Sequence, residues 1–132
     1  MIQIVLDTNI VISAALSPLG NPAKVIKFIK NNEDIQLYYN AVIFAEYKKV
    51  LAYKRLNLPQ EEQEKALEAI IDMGVIHEPT TKSNITLPDE SDRIFYDTAK
   101  SANAYLVTGN IKHYPPNEPF ILNPAQFVDL IT

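Results

Sequence analysis

The 132-residue chain contains no cysteine. That excludes disulfide staples, zinc–thiolate sites and thiol catalysis, and it fits a reducing, intracellular setting. No positively charged leader precedes a signal-type apolar segment, and no apolar run approaches the ~20 residues that span a bilayer. The expectation is a cytoplasmic protein with no membrane contact. A basic excess is missing too. The formal net charge of −4 argues against a globally basic protein that grips a nucleic-acid backbone. It leaves room for an enzyme that holds cations and touches nucleic acid locally. No repeat, low-complexity segment or linker interrupts the chain, so residues 1–132 are expected to form one domain. With 47% hydrophobic and 21% charged residues, that domain can build its core without disulfides or a structural metal.

Short apolar, β-rich runs at 2–6, 35–39, 75–77, 104–107 and 120–122 read as strands. Between and after them, helical periodicity covers about 8–16, 22–31, 41–53, 60–73, 89–103 and 124–130. The punctuation agrees: Asp7 or Asn9, Asn40 and Asn123 as N-caps, Pro22 in a first turn, Pro59 before a helix. Gly74 is expected to close the fourth helix in a left-handed cap. Strands alternating with helices predict an α/β fold, a three-layer α/β/α sandwich with a mostly parallel central sheet.

Several polar residues fall where this pattern calls for core. In an open parallel sheet, ligands bind beyond the carboxyl ends of the strands. Asp7 follows the first strand and Thr108-Gly109-Asn110 follows AYLV, although caps and turns explain each of them singly. Glu46 is flanked at helical spacing by Val42, Ile43, Val50 and Tyr53, which predicts a place in the buried stripe; an ion pair with a Lys or Arg is the alternative. Asp92 shares a face with Phe95 and Ala99, with reciprocal helix capping as its alternative. Asp97 lies off that stripe and is expected in solvent, and Asp89 reads as a cap. If Asp7, Glu46 and Asp92 converge, their repulsion demands a cation or protonation. All-oxygen ligands select a hard ion such as Mg²⁺ or Mn²⁺. Such a cluster suits phosphodiester hydrolysis, in which metals activate water and stabilise the attacking and leaving oxygens.

The stretches IVLDTNIVISA, FAEYKKVL, LPDESDRIFYDTAKSANAYLVTGNIKHY and FILNPAQFVDLI, in this order from about residue 2 to residue 130, resemble the PIN-domain family. The likeness is greatest to its branch of toxin components of toxin–antitoxin pairs. The resemblance implies a Mg²⁺- or Mn²⁺-dependent ribonuclease with Asp7, Glu46 and Asp92 as catalytic metal ligands. It makes Asn9 and Thr108 supporting groups that hydrogen-bond the carboxylates or a phosphate oxygen. The family often carries a fourth acid where this chain has Asn110, which removes one negative charge from the cluster. Asn110 still offers a carbonyl oxygen. Lys48, Lys49, Lys54 and Arg55 at one rim, and Lys112 and His113 at the other, are candidate RNA contacts whose charge would make binding salt-sensitive. His77 receives no role. A cognate antitoxin is an implied partner, with the helices at 22–30 and 60–73 as docking surfaces, and a homodimer is expected by analogy. Two other readings stay open. One is phosphoryl transfer through Asp7, although Asn9 stands where a second acid belongs. The other is a PIN-like domain retained for binding RNA or protein, which Asn110 keeps alive.

Overall fold

A computed structural model describes residues 1–132. Its strands are β1 (Ile2–Leu6), β2 (Ile35–Tyr39), β3 (Gly74–Ile76), β4 (Tyr105–Val107) and β5 (Ile121–Leu122). The helices are α1 (Thr8–Leu16), α2 (Asn21–Asn31), α3 (Ala41–Leu51), α4 (Gln60–Met73), α5 (Arg93–Ala102) and α6 (Pro124–Ile131). The strands form one sheet in the order β3-β2-β1-β4-β5, and every neighbouring pair is parallel. The sheet is thus wholly rather than mostly parallel.

β1 is central, and its Ile4, Val5 and Leu6 have no exposed surface. A strand covered on both faces reads as a continuous apolar run, which is how VL precedes Asp7. From β1 the chain steps outward to β2 and β3, then turns back past them to β4. Right-handed crossovers put α5 on the face opposite the helices of the outward steps. α1 contacts α2, α3 and α4 while α5 lies against β1, β2 and β4, and α3 reaches α5 through the Tyr47–Phe95 ring pair. The direction of winding reverses between β1 and β4, where Leu6 pairs with Val107. Such a reversal opens a crevice at the carboxyl ends of the two strands. Asp7 and Thr108 are the first residues beyond it. No helix is long and apolar enough to cross a membrane.

Three local expectations need correction. Gly74 is not a left-handed cap: its backbone is extended, at φ −99° and ψ 159°, and it begins β3. Glycine is needed there for space, because an added Cβ would lie 2.6 Å from the Tyr39 ring and 2.7 Å from the Ile70 carbonyl oxygen. Gly74→Ala is therefore expected to cost about 2 kcal/mol through overpacking, read as a lower urea midpoint at unchanged slope. An unaltered midpoint would dismiss the close approach as its reason. α3 stops at Leu51, and a 3₁₀ turn at Lys54–Leu56 follows it. The helix expected from residue 89 opens instead as a 3₁₀ turn, Glu90–Asp92, capped by Asp89.

Candidate active site

Asp7 caps α1, with its Oδ1 accepting from the Thr8 backbone N–H at 2.8 Å. Capping leaves Oδ2 free, and two hydroxyls reach it. Thr108 Oγ1 donates at 2.8 Å and the Tyr114 hydroxyl at 2.9 Å. Asp7 is 4% exposed and in no ion pair. These three donors are what permit a buried, ionised carboxylate.

Thr108 is the junction of the site. Its Oγ1 also accepts from the Asn110 backbone N–H at 3.0 Å and from Asn9 Nδ2 at 3.4 Å. Asn9 Oδ1 in turn accepts from the Gly109 N–H at 2.7 Å. The DTN and TGN stretches, separated by a hundred residues, are thus laced together across β1 and β4. From the far side Tyr47 of α3 donates to the Leu6 carbonyl oxygen at 2.5 Å. Burial, and then the charge of Asp7, hold the Tyr47 phenol well above its usual pKa. The same two causes, in the same order, raise that of Tyr114, so both stay donors.

Asp92 begins α5 but makes no capping hydrogen bond, which disposes of the reciprocal-cap alternative. Burial first, and then the negative charges of Asp7 and Asp89, push its carboxyl up to about 6 against the pull of His113. Its Oδ2 is buried without a hydrogen-bond partner. In the whole chain only one other buried side-chain oxygen is left so, Thr8 Oγ1, on the residue after Asp7. Native proteins rarely strand buried polar atoms. A bound cation is one partner that would satisfy Asp92 Oδ2 and offset its repulsion by Asp7. The donors are oxygens, which fits Mg²⁺ or Mn²⁺.

Glu46 stands differently from expectation. The buried line of α3 is Ile43, Tyr47 and Leu51. Val42, counted as a buried neighbour, is 58% exposed. Glu46 is half-buried at the edge of that line, next to Tyr47, and no Lys or Arg pairs with it. No three acidic or histidine side chains enclose an ion as they stand. Holding one with Asp7, Glu46 and Asp92 together therefore requires side-chain rotation, for which half-buried Glu46 has freedom. Asn110, Lys48, Lys49, Lys112 and His113 are all exposed.

Asp97, expected in solvent, is buried and accepts from the Ser83 N–H at 3.3 Å. The irregular segment 77–89 lies over the outer face of α5 and covers it. Arg93 fastens the segment: its guanidinium donates to the Ser83 carbonyl and Oγ at 2.8 Å, to the Ile85 carbonyl at 2.5 Å, and to Glu90. The residue after Asp92 is thereby fixed.

Comparison with known proteins agrees with this picture. A family model described as PIN domain matches residues 3–112. An uncharacterized protein of Methanocaldococcus jannaschii, MJ1680, is 34% identical over 112 residues, spanning 83% of this chain and 71% of that protein. Among solved structures, VapBC2 from Rickettsia felis bound to a DNA fragment from its promoter shares the fold. Its TM-score is 0.63 at 18% identity, over 92% of this chain and 97% of the other. The winding of the sheet and the family match agree, and the chain belongs to the PIN domain family, whose members are generally nucleases.

Proposed function

We propose that the protein is a Mg²⁺- or Mn²⁺-dependent endoribonuclease of the cytoplasm, the toxin of a toxin–antitoxin pair. The observation that carries this reading is the Asp7–Asp92 pair, with its stranded oxygen, at the reversal point of a PIN sheet. Asp7 and Asp92 would hold the ion, joined by Glu46 from α3, with the Asn110 side-chain oxygen within the same loop. The ion, when bound, supplies activation of water and stabilisation of charge on the phosphate oxygens. The chain's own residues prepare for it. Thr108 and Tyr114 fix Asp7 Oδ2, and the Thr8 N–H fixes Oδ1 without using all its lone pairs. Asn9 locks the TGN loop at the height of Asp7. Lys48, Lys49 and Lys112 lower the cost of bringing a polyanion to an acidic crevice.

Purified protein, freed of any bound inhibitor, is expected to cut RNA with Mn²⁺ or Mg²⁺ and to stop when the ion is chelated. Intact RNA with both ions would end the reading. In that case the non-catalytic alternative, which Asn110 favours, takes its place.

The antitoxin reading draws support from the toxin-branch resemblance and from the fold shared with the VapBC2 chain. A groove of about 330 Å³ between α1, α2 and α4, floored by Val11, Ile26 and Met73, is edged by Lys27 and Lys30 and by Lys65, which pairs with Glu61 and Glu62. It suits an amphipathic segment with acidic flanks. For the homodimer, β3 and the end of α4 expose Ile71, Val75 and Ile76.

A further inference from the structure

Asp92 stands in the crevice with little support of its own. Its side chain makes no capping hydrogen bond, and its Oδ2 lies 3.3 Å from Nδ1 of half-exposed His113. The side chain is 15% exposed and faces the charge of Asp7, so desolvation and repulsion both favour swinging it out to water. The backbone that carries it is a 3₁₀ turn of three residues, Glu90–Asp92, a form whose hydrogen bonds are poorly aligned.

The restraint comes from the next residue. Arg93 Nε and Nη2 donate to the two Glu90 carboxylate oxygens at 2.8 and 2.6 Å. That fork clasps the turn from its first residue to the one after its last, with Ser91 and Asp92 enclosed between. The other guanidinium bonds go to Ser83 and Ile85 and anchor the group to the segment 77–89. An exposed ion pair ordinarily contributes little, because two mobile side chains have to be ordered. Here the arginine is 11% exposed and already fixed by its other acceptors, so the fork on Glu90 is rigid.

We propose that Arg93 is a positioning residue: through its fork on Glu90 it keeps the Asp92 carboxylate turned into the crevice beside Asp7. This rests on the nuclease reading above, in which Asp92 acts. Cleavage of a single-stranded RNA, with kcat and KM separated and a thermal melt beside each variant, is the test. Arg93→Lys presents one ammonium in place of the planar fork. It is expected to lower kcat about 10-fold or more with KM little changed, as a small misplacement of a reacting group does. Glu90→Gln, at a side chain 66% exposed, should lower kcat in the same direction without loss of the fold. Asp97→Asn weakens the hold on the same segment at Ser83 but leaves the fork, so it should lower the melting temperature and keep kcat. In nuclear magnetic resonance spectra the His113 ring, next to Asp92, should shift in Arg93→Lys and not in Asp97→Asn. Variants of the fork that melt earlier but keep kcat, or an unmoved His113 signal, overturn the inference and leave the nuclease reading intact. A loss of kcat in Asp97→Asn as large as in Arg93→Lys does the same. If Arg93→Lys does not fold, Glu90→Gln decides alone. Wild-type protein that cuts no RNA overturns both.

Discussion

Asp7→Asn is expected to lower RNA cleavage at least about 10³-fold in kcat/KM, which corresponds to about 4 kcal/mol of lost transition-state stabilisation. The loss follows from charge, since the substitution is nearly isosteric. An asparagine oxygen can still accept from the Thr8 N–H, so α1 keeps its cap. Its amide would face the hydroxyls of Thr108 and Tyr114, and both can turn to accept. Refitting those bonds costs about 1 kcal/mol, a modest fall in melting temperature. What disappears is the one negative charge that three donors hold fixed in the crevice. Activity measured beside a thermal melt checks the separation. Cleavage within tenfold of wild type by a folded Asp7→Asn protein would remove Asp7 from the mechanism.

Asp92→Asn is expected to act in opposite directions on stability and on metal binding. In the metal-free protein, Asp92 is a largely buried carboxylate with a stranded oxygen, repelled by Asp7. Its folded pKa of about 6 stands above the ordinary value of 3.8, so the proton favours the folded state. The destabilisation is therefore full above about pH 6 and gone below about pH 4. Replacing the carboxylate by an amide should raise stability by about 1–2 kcal/mol near pH 7.5, a few degrees in melting temperature, and by almost nothing near pH 4. Saturating Mn²⁺ should reverse the order, since only the wild type gains from the ion. Melts at both pH values, with and without Mn²⁺, test it. A metal-free variant less stable than wild type at neutral pH would mean that Asp92 serves structure.

Much of this arrangement was legible in the sequence because local signals and tertiary demands coincided. The runs at 2–6 and 35–39 are apolar and bounded by polar residues, and α4 has Pro59 before it and Gly74 after. The structure gives each of these elements the expected limits. Asp7 and Thr108 stood out because each follows a buried strand at the carboxyl edge of the sheet, and the cap that local signals offer for Asp7 is also present. The failures have a common cause in packing between distant segments. Asp97 looked solvated on a helical wheel of α5, but the wheel cannot see the segment 77–89 that lies over it, which has no periodicity of its own. Val42 looked buried by spacing, but α3 enters the core at Ile43, one residue on. Gly74 carried a signal for a break, and the sequence near it does not say that Tyr39 takes up the space. Tyr114 stands in a proline-rich stretch where an aromatic residue reads as ordinary loop packing, and nothing local connects it to a carboxylate at residue 7.

The two hydroxyls on Asp7 come from residues 101 and 107 positions away, and β1 cannot gain β4 as a neighbour sooner. During synthesis the N-terminal half can pair β1 with β2 and bury much of both, yet the carboxylate at the end of β1 then faces a missing wall. Until residue 114 has left the ribosome, Asp7 has neither donor on Oδ2, and Asp92 has no partner histidine. On the nuclease reading proposed above, a nascent chain is therefore inert toward the RNA around it until the segment carrying Thr108 and Tyr114 has emerged.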